Sequence, residues 1–220
     1  MTNVSLVQFP GSNCDLDCIA AMDRYFNLKV TTVWHTEAKL PKTDFLIIPG
    51  GFSFGDYIRS GSLASHSMIM TEVKKFADGG GYIIGICNGF QILTEAAILP
   101  GALLANNTAK FICQFVQIKS PDDSTIYRIP IAHGEGRYYI DENGLKKLHS
   151  ENLIAYQYCN LEGIVAAEAN PNGSLDGIAG IYSENKRVLG LMPHPERAVD
   201  KILGTSDDGI KIWQHFFKNL

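Results

Sequence analysis

The chain has 220 residues, of which 45% are hydrophobic and 19% charged, and its formal net charge is −4 at pH 7. At roughly 150 residues per domain, this length suits one large globular domain, so we expect residues 1–220 to form a single domain. An acidic balance without any basic run argues against a nucleic-acid-binding protein. The sequence contains no membrane segment, and its first residues, MTNVSLVQFP, lack the features of a signal peptide, which predicts a cytoplasmic protein.

Cysteine and histidine spacing predicts neither a disulfide framework nor a metal centre. The cysteines number five and include no C-x-x-C pair, which is typical of free thiols in a reducing compartment. The six histidines form no H-x-H or H-E-x-x-H motif. We therefore expect free thiols and no metal site.

The first half of the chain alternates between predicted strands and helices. Residues 3–9, 28–34 and 44–48 are short apolar or β-branched runs, and Asn13 offers an N-cap for a helix that extends to about residue 26. This alternation predicts an α/β fold with an open, mostly parallel, doubly wound sheet flanked by helices. Ligands bind such sheets beyond the carboxyl ends of the strands, so the loops that follow neighbouring strands are expected to share one edge.

Cys87 lies where a fourth predicted strand meets a helix. Residues 82–86 are an apolar run, and Gly85 and Gly89 place Cys87 in a G-x-C-x-G pattern. This is the thiol counterpart of the nucleophile elbow, a sharp turn between strand and helix that exposes the nucleophile. The start of the helix favours the thiolate, which is the reactive form. The alternative is an inert core residue, because free cysteines are usually buried.

A glycine-rich loop follows the third strand and contains a second elbow-like pattern. Ser53 fits G-x-S-x-G, but no strand directly precedes it and no helix directly follows it, so we do not assign it as a nucleophile. Gly50 and Gly51 instead leave backbone N–H groups free to approach a ligand, as an oxyanion hole requires. The alternative is that the two glycines serve only to turn the chain.

The second half of the chain is less regular. Residues 111–119 and 125–132 alternate like antiparallel strands around a polar turn at residues 120–123, which predicts a hairpin extension of the sheet. His133 and Glu135 follow on a flexible loop. Spacing alone does not decide whether they are catalytic, hold the loop or dock a partner.

A rigid segment follows the last predicted strand. Pro193 and Pro195 bracket His194, and a proline holds the residue before it in an extended conformation. In an extended chain His194 and Glu196 share a face, so the carboxylate can orient the imidazole and stabilise its charged form. Together with Cys87, this pair predicts a Cys-His-Glu triad.

Several of these motifs resemble a known family. GICNGFQIL, PGGFSFGD and MPHPERA look like the motifs of class I, triad-type glutamine amidotransferases, whose fold is flavodoxin-like. The similarity to the glutaminase subunits of phosphoribosylformylglycinamidine synthases runs nearly end to end, through PGSNCD, GGFSFGDYIRSG, KFIC, AHGEGRYY and MPHPERAVD. Gln114 departs from the pattern, since many relatives carry a basic residue after the KFIC cysteine.

The resemblance implies one type 1 glutamine amidotransferase domain with assigned roles for seven residues. The implied triad consists of Cys87 as nucleophile, His194 as acid/base and Glu196 as its orienting group. The implied oxyanion and glutamine contacts come from the loop glycines and the start of the catalytic helix: Gly50, Gly51, Asn88 and Gln91.

By the same resemblance, the chain hydrolyses glutamine to glutamate and ammonia. The ammonia passes to a separate synthetase subunit, which uses ATP to convert formylglycinamide ribonucleotide to formylglycinamidine ribonucleotide in de novo purine biosynthesis. A small accessory subunit is a further candidate partner. The glycine cluster at residues 79–81 precedes a strand, which is the wrong context for a P-loop, so we expect ATP and Mg²⁺ on the partner and no cofactor on this chain.

Two other functions remain open from the sequence. One is a stand-alone γ-glutamyl cysteine hydrolase or peptidase on a similar fold, which would act on peptides without a partner. The other is a non-enzymatic binding module with a vestigial triad, against which the intact Cys87, His194 and Glu196 weigh.

Overall fold

The computed structural model describes residues 2–121, 125–204 and 206–218. Residues 122 and 123 of the predicted hairpin turn lie outside this set. The strands are β1 (Val4–Gln8), β2 (Val30–Trp34), β3 (Phe45–Ile48), β4 (Tyr82–Ile86), β5 (Ala102–Leu104), β6 (Ile112–Lys119), β7 (Ile126–His133), β8 (Arg137–Tyr139), β9 (Ile154–Cys159), β10 (Ile178–Tyr182) and β11 (Val188–Leu191). The α-helices are α1 (Asp15–Phe26), α2 (Ser62–Ser65), α3 (Ile69–Asp78), α4 (Asn88–Glu95), α5 (Glu142–Ser150), α6 (Lys201–Gly204) and α7 (Asp208–Phe217).

In the described part of the chain, nine strands form one sheet in the order β2-β1-β3-β4-β11-β10-β9-β6-β7. The neighbours from β2 to β11 pair in parallel, and those from β11 to β7 pair antiparallel. The parallel half has the flavodoxin-like order 2-1-3-4-5, with β11 in the fifth place. The doubly wound α/β fold expected from the sequence is therefore confirmed.

The predicted hairpin is present as β6 and β7, which pair antiparallel from Ile112 and His133 to Lys119 and Ile126. Because β6 also pairs with β9, the hairpin extends the main sheet. β5 and β8 form a separate antiparallel pair. Within the described residues, no helix has both the length and the apolar composition that crossing a bilayer requires.

The centre of the sheet is a rigid platform for the loops at its carboxyl edge. Every residue of β3 is buried, and so are residues 83–86 of β4. Strands buried on both faces are typical of parallel sheets that helices cover on each side. The loops after β1 and β3 lie side by side at this edge, where Ser12 and Gly51 form a bridge.

The start of α1 differs from the prediction. Its N-cap is Cys14, which makes no side-chain capping bond, so the assignment of Asn13 as the cap was wrong. The N–H groups of Asn13 and Cys14 both donate to the carbonyl of Gly50, at 3.4 and 3.2 Å. The carbonyl of Gly50 therefore holds the two residues that lead into α1 against the loop after β3.

Two glycines allow α4 to pack directly on the strands behind it. A Cβ at Gly89 would lie 2.0 Å from the carbonyl oxygen of Ile48, and a Cβ at Gly85 would lie 2.7 Å from the carbonyl oxygen of Gly89. Neither backbone group can move without disturbing β3 or α4. The close approach fixes the angle at which the chain turns from β4 into α4.

Gly89→Ala is expected to destabilise the fold by about 1–3 kcal/mol or more, because the new methyl group meets backbone atoms rather than a flexible side chain. Urea unfolding of the full chain measures this as a lower midpoint. Gly134→Ala is the matched control, since the nearest atom to its Cβ would be Phe111 Cδ2 at 3.8 Å, an ordinary contact. Equal midpoints for the two variants would contradict the packing argument.

Candidate active site

Cys87 occupies a strained turn between β4 and α4. Its backbone has φ 50° and ψ −104°, a conformation that side chains rarely adopt. Its N–H donates to the carbonyl of Leu191 in β11 at 2.7 Å, and its Sγ lies 3.7 Å from the carbonyl of Ala132. This is the geometry of an elbow, and the surrounding fold has to hold it in place.

His194 and Glu196 form a buried pair. The Nδ1 atom of His194 lies 2.6 Å from Oε1 of Glu196, and the two residues are 2% and 3% exposed. The pairing was expected, but the extended conformation from which it was argued is wrong. Pro195–Arg197 form a 3₁₀ turn, and this turn brings the carboxylate back to the ring.

Backbone hydrogen bonds hold residues 194–198, which we call the His194 segment, at both ends. The N–H of His194 donates to the carbonyl of Pro130 in β7 at 2.9 Å. Beyond the turn, the N–H of Gly209 in α7 donates to the carbonyl of Ala198 at 2.7 Å. Gly209 packs so closely that a Cβ there would lie 2.0 Å from the carbonyl oxygen of Pro195. The C-terminal helix therefore helps to fix the position of the imidazole.

The charges around His194 favour its protonated form. Burial alone would lower the pKa of His194, but the negative charges of Glu196 and Cys87 outweigh it and hold that pKa well above its usual value. Nε2 of His194 makes no hydrogen bond within the described residues, although the thiol of Cys87 is close enough to interact with the ring. The His194–Glu196 pair therefore places a positive charge close to Cys87.

Cys14 is a neighbour of the triad that sequence reasoning missed. Its Sγ, a ring nitrogen of His194 and a carboxylate oxygen of Glu196 all lie within 4.8 Å of one another. A Cβ at Gly50 would lie 2.9 Å from this Sγ and 2.8 Å from Cε1 of His194, so Gly50 must be a glycine. Burial raises the pKa of the Cys14 thiol, which favours its neutral form. The three groups lie close enough together that they could hold a metal ion.

Two backbone N–H groups near Cys87 are candidates for the predicted oxyanion hole. Gly51 lines the cavity beside Cys87, and its N–H donates to no group in the described part of the chain. Its φ is 152°, and a Cβ there would lie 2.7 Å from the carbonyl oxygen of Gly11. Asn88 is the first residue of α4, and N–H groups of a first helical turn have no partner within the helix.

The side chains of Asn88 and Gln91 tie the loops together. Asn88 Oδ1 accepts from the N–H of Ser53 at 3.1 Å, and its Nδ2 donates to Gln91 Oε1 at 2.9 Å. Gln91 Nε2 donates in turn to the carbonyl of Glu135 at 2.6 Å. Gln91 and Cys87 both line the cavity, whereas Ser53 does not.

The cavity beside Cys87 has a volume of about 180 Å³ and includes Phe52 and Phe111 in its wall. A larger cavity of about 610 Å³ is lined by Val188, the first residue of β11. Because β11 runs parallel to β4, that cavity lies near the opposite edge of the sheet from Cys87. The smaller cavity is therefore the candidate substrate site.

The structure distinguishes His133 from Glu135, for which the sequence left open a catalytic, a loop-holding or a partner-docking role. His133 is only 2% exposed, so it does not belong to an exposed docking surface. Burial, with the positive charge of His194, lowers the pKa of His133 to about 4, and the ring is neutral at physiological pH. Glu135 lies in the cavity wall beside Cys87.

Comparisons with known proteins show the family to which the chain belongs. The family described as the CobB/CobQ-like glutamine amidotransferase domain matches residues 1–220. A phosphoribosylformylglycinamidine synthase subunit PurQ from Pelagibacter ubique is 46% identical, with 98% of each chain covered. A PurQ subunit from Thermus thermophilus is 48% identical, with 92% of each chain covered.

Solved structures agree as well. A chain in the structure of PurLQS from Thermotoga maritima is 38% identical with a TM-score of 0.85, covering 99% of this chain and 98% of that one. A glutamine amidotransferase from the same organism, at 12% identity and a TM-score of 0.57, shares the fold alone, with 99% of this chain and 83% of that one covered. The resemblance drawn from the sequence motifs is thus confirmed, and the chain belongs to the PurQ family of glutamine amidotransferases.

Proposed function

We propose that this chain is the glutaminase component of a phosphoribosylformylglycinamidine synthase. It hydrolyses glutamine and supplies ammonia to a synthetase subunit, which uses ATP to convert formylglycinamide ribonucleotide to formylglycinamidine ribonucleotide in de novo purine biosynthesis. The observation that carries the proposal is the strained Cys87 elbow beside a His194 whose charge Glu196 maintains. Membership of the PurQ family supports the pathway and the partner.

The first half of the reaction uses the Cys87 thiolate and the His194 imidazolium. Sγ attacks the side-chain carboxamide carbon of glutamine, and the N–H groups of Gly51 and Asn88 stabilise the oxyanion that forms. His194 then donates its proton to the amide nitrogen, which leaves as ammonia. A γ-glutamyl thioester on Cys87 remains, and His194 is neutral.

The second half restores the starting charges. The neutral His194 takes a proton from a water molecule as its oxygen attacks the thioester carbonyl. The same two N–H groups stabilise the second oxyanion, the C–S bond breaks, and glutamate leaves. Cys87 is again a thiolate and His194 again an imidazolium, held by Glu196 throughout.

The size of the cavity favours free glutamine over a peptide. About 180 Å³ is well below the roughly 300–1,000 Å³ of sites for drug-sized ligands. A stand-alone peptidase would need room for the rest of its substrate. We also infer that residues 1–220 act as one type 1 glutamine amidotransferase domain and that the protein works in the cytoplasm, which its family and its free cysteines support.

The free chain is expected to be a poor glutaminase and to become efficient on the synthetase. Four large apolar side chains, which we call the entrance patch, are exposed: Phe52 and Phe111, which line the cavity, and Tyr57 and Ile58, which follow the cavity residue Asp56 in the chain. A partner that covers this patch would also fix the adjacent Gly51 donor. Because the loss of one oxyanion donor typically costs about 100- to 1000-fold in rate, kcat/KM for glutamine should rise by about 100-fold or more in the complex.

Glutaminase assays with and without the synthetase, ATP and formylglycinamide ribonucleotide measure this effect. Product formation by a complex that carries Cys87→Ala provides the control, since it should fail with glutamine but proceed with added ammonium. Equal kcat/KM with and without the partner would contradict the coupling. Failure to use glutamine in any condition would contradict the proposed function.

Glu196→Gln is expected to lower kcat by about 100-fold or more with little change in KM, because the substitution removes a charge from His194 and no contact with the substrate. Glu196 raises the pKa of His194. Its loss lowers that pKa, so the imidazolium is lost at a lower pH and the alkaline limb of the kcat/KM profile moves to lower pH. The profile of the complex measures both effects.

Glu162→Gln is the matched control, since Glu162 is exposed and lies outside the site. It should leave the pH profile unchanged. A Glu196→Gln variant with raised KM, normal kcat and an unshifted alkaline limb would make Glu196 a substrate-binding residue and contradict the triad.

A further inference from the structure

The cavity beside Cys87 carries negative charge that the triad does not use. Asp56 and Glu135 both line its wall. Burial, together with the charge of Glu135, raises the pKa of Asp56 to about 6, although hydrogen bonding from Ser60 opposes the shift. Two carboxyl groups in the wall of one cavity form a place where a bound cation is stabilised.

The described residues that line the cavity include no lysine and no arginine to balance this charge. Arg59 is close to Asp56 in sequence, but its guanidinium group contacts Glu95 and the carbonyl of Leu103 instead. Its Nε lies 2.8 Å from Oε1 of Glu95, and its Nη2 donates to the carbonyl of Leu103 at 3.4 Å. The cavity wall is therefore left with acidic groups that a bound ligand can neutralise.

His133 adds a neutral acceptor to the same wall. Its Nδ1 lies 3.0 Å from Asn106 Oδ1, an oxygen that also accepts from the N–H of Gly136 at 3.1 Å. Nδ1 is therefore the protonated nitrogen, and Nε2 keeps a lone pair. This residue is 2% exposed, and Nε2 has no hydrogen-bond partner within the described residues. The wall thus contains acceptors without matching donors.

Neutral groups contact the carboxylates of Asp56 and Glu135, and each carboxylate can still accept further hydrogen bonds. Asn88 Nδ2 lies 3.4 Å from Asp56 Oδ1, and the N–H of Ser60 donates to Glu135 Oε2 at 3.3 Å. A carboxylate offers about four lone-pair sites, so one such contact does not saturate it. Asn88 also follows Cys87 directly, so its contact joins the Asp56 carboxylate to the residue next to the nucleophile.

We propose that Asp56 and Glu135 hold the α-ammonium group of glutamine while Cys87 attacks its carboxamide. The inference rests on the proposed function, which requires the carboxamide of the substrate to lie at Cys87. Of the two remaining polar groups of glutamine, the α-carboxylate would be repelled by this wall, whereas the α-ammonium is attracted to it and donates three N–H groups. The pair therefore selects an α-amino acid over other primary amides.

The test compares L-glutamine with glutaramic acid, which lacks only the α-amino group. Binding of each is measured calorimetrically to the synthetase complex that carries Cys87→Ala, which consumes neither compound. We expect L-glutamine to bind about tenfold more tightly or better. Asp56→Asn and Glu135→Gln should each reduce this preference by about fivefold or more, since each removes one charge-assisted hydrogen bond. Asp56 has φ 53°, a conformation that asparagine also tolerates.

Glu142→Gln is the matched control, because Glu142 lies exposed on α5, paired with Lys146. It should leave the preference unchanged. Equal weakening of both compounds in the Asp56 and Glu135 variants, or an unchanged preference in both, would overturn the assignment and leave the proposed function intact. If L-glutamine failed to bind the complex at all, the proposed function would fall and this inference with it.

Discussion

The buried contact between His194 and Glu196 is the interaction on which the rest of the site depends. Taking a histidine out of water favours its neutral form, and the adjacent carboxylate reverses that preference. In the mechanism proposed above, the resulting imidazolium lies beside the attacking sulfur of Cys87 and protonates the departing ammonia. Without the carboxylate, the pKa of His194 would lose its largest opposition to the effect of burial.

Three adjacent strands deliver the parts of the site to one edge of the sheet. The order β3-β4-β11 places the Gly51 loop, Cys87 and the His194 segment next to one another. The bond from the N–H of Cys87 to the carbonyl of Leu191 joins two of these strand ends directly. The chemistry therefore depends on backbone packing, in which glycines permit approaches that a Cβ would block.

The parts of the structure that depend on local sequence were predictable. The strands before Cys87 and His194 follow from apolar runs, and the elbow follows from the two glycines around Cys87. The His194–Glu196 pair was predicted through the wrong conformation, because a proline's fixed φ suits the first residue of a helical turn as well as an extended chain. The contact of Cys14 with His194 was not predictable, since it depends on how the loops after β1 and β3 pack together.

The sequence also could not predict that Asp56, His133 and Glu135 lie together. They come from segments far apart in the sequence, and only the fold shows that they line one cavity with Cys87. Composition gave His133 and Glu135 three possible roles, and burial removes an exposed docking role for His133. The effect of a charged side chain in a cavity depends on the charges around it, and the sequence alone does not show which residues those are.

The central claim is that one thiol among the five is activated, and labelling with a diazoketone analogue of glutamine tests it most directly. Peptide mass spectrometry of the labelled complex should find the adduct on Cys87, formed slowly in Glu196→Gln and prevented by excess L-glutamine. Cys113 is the internal control, because it is the exposed thiol among the described cysteines. An adduct on Cys14, or labelling of Cys113 as fast as that of Cys87, would contradict the account.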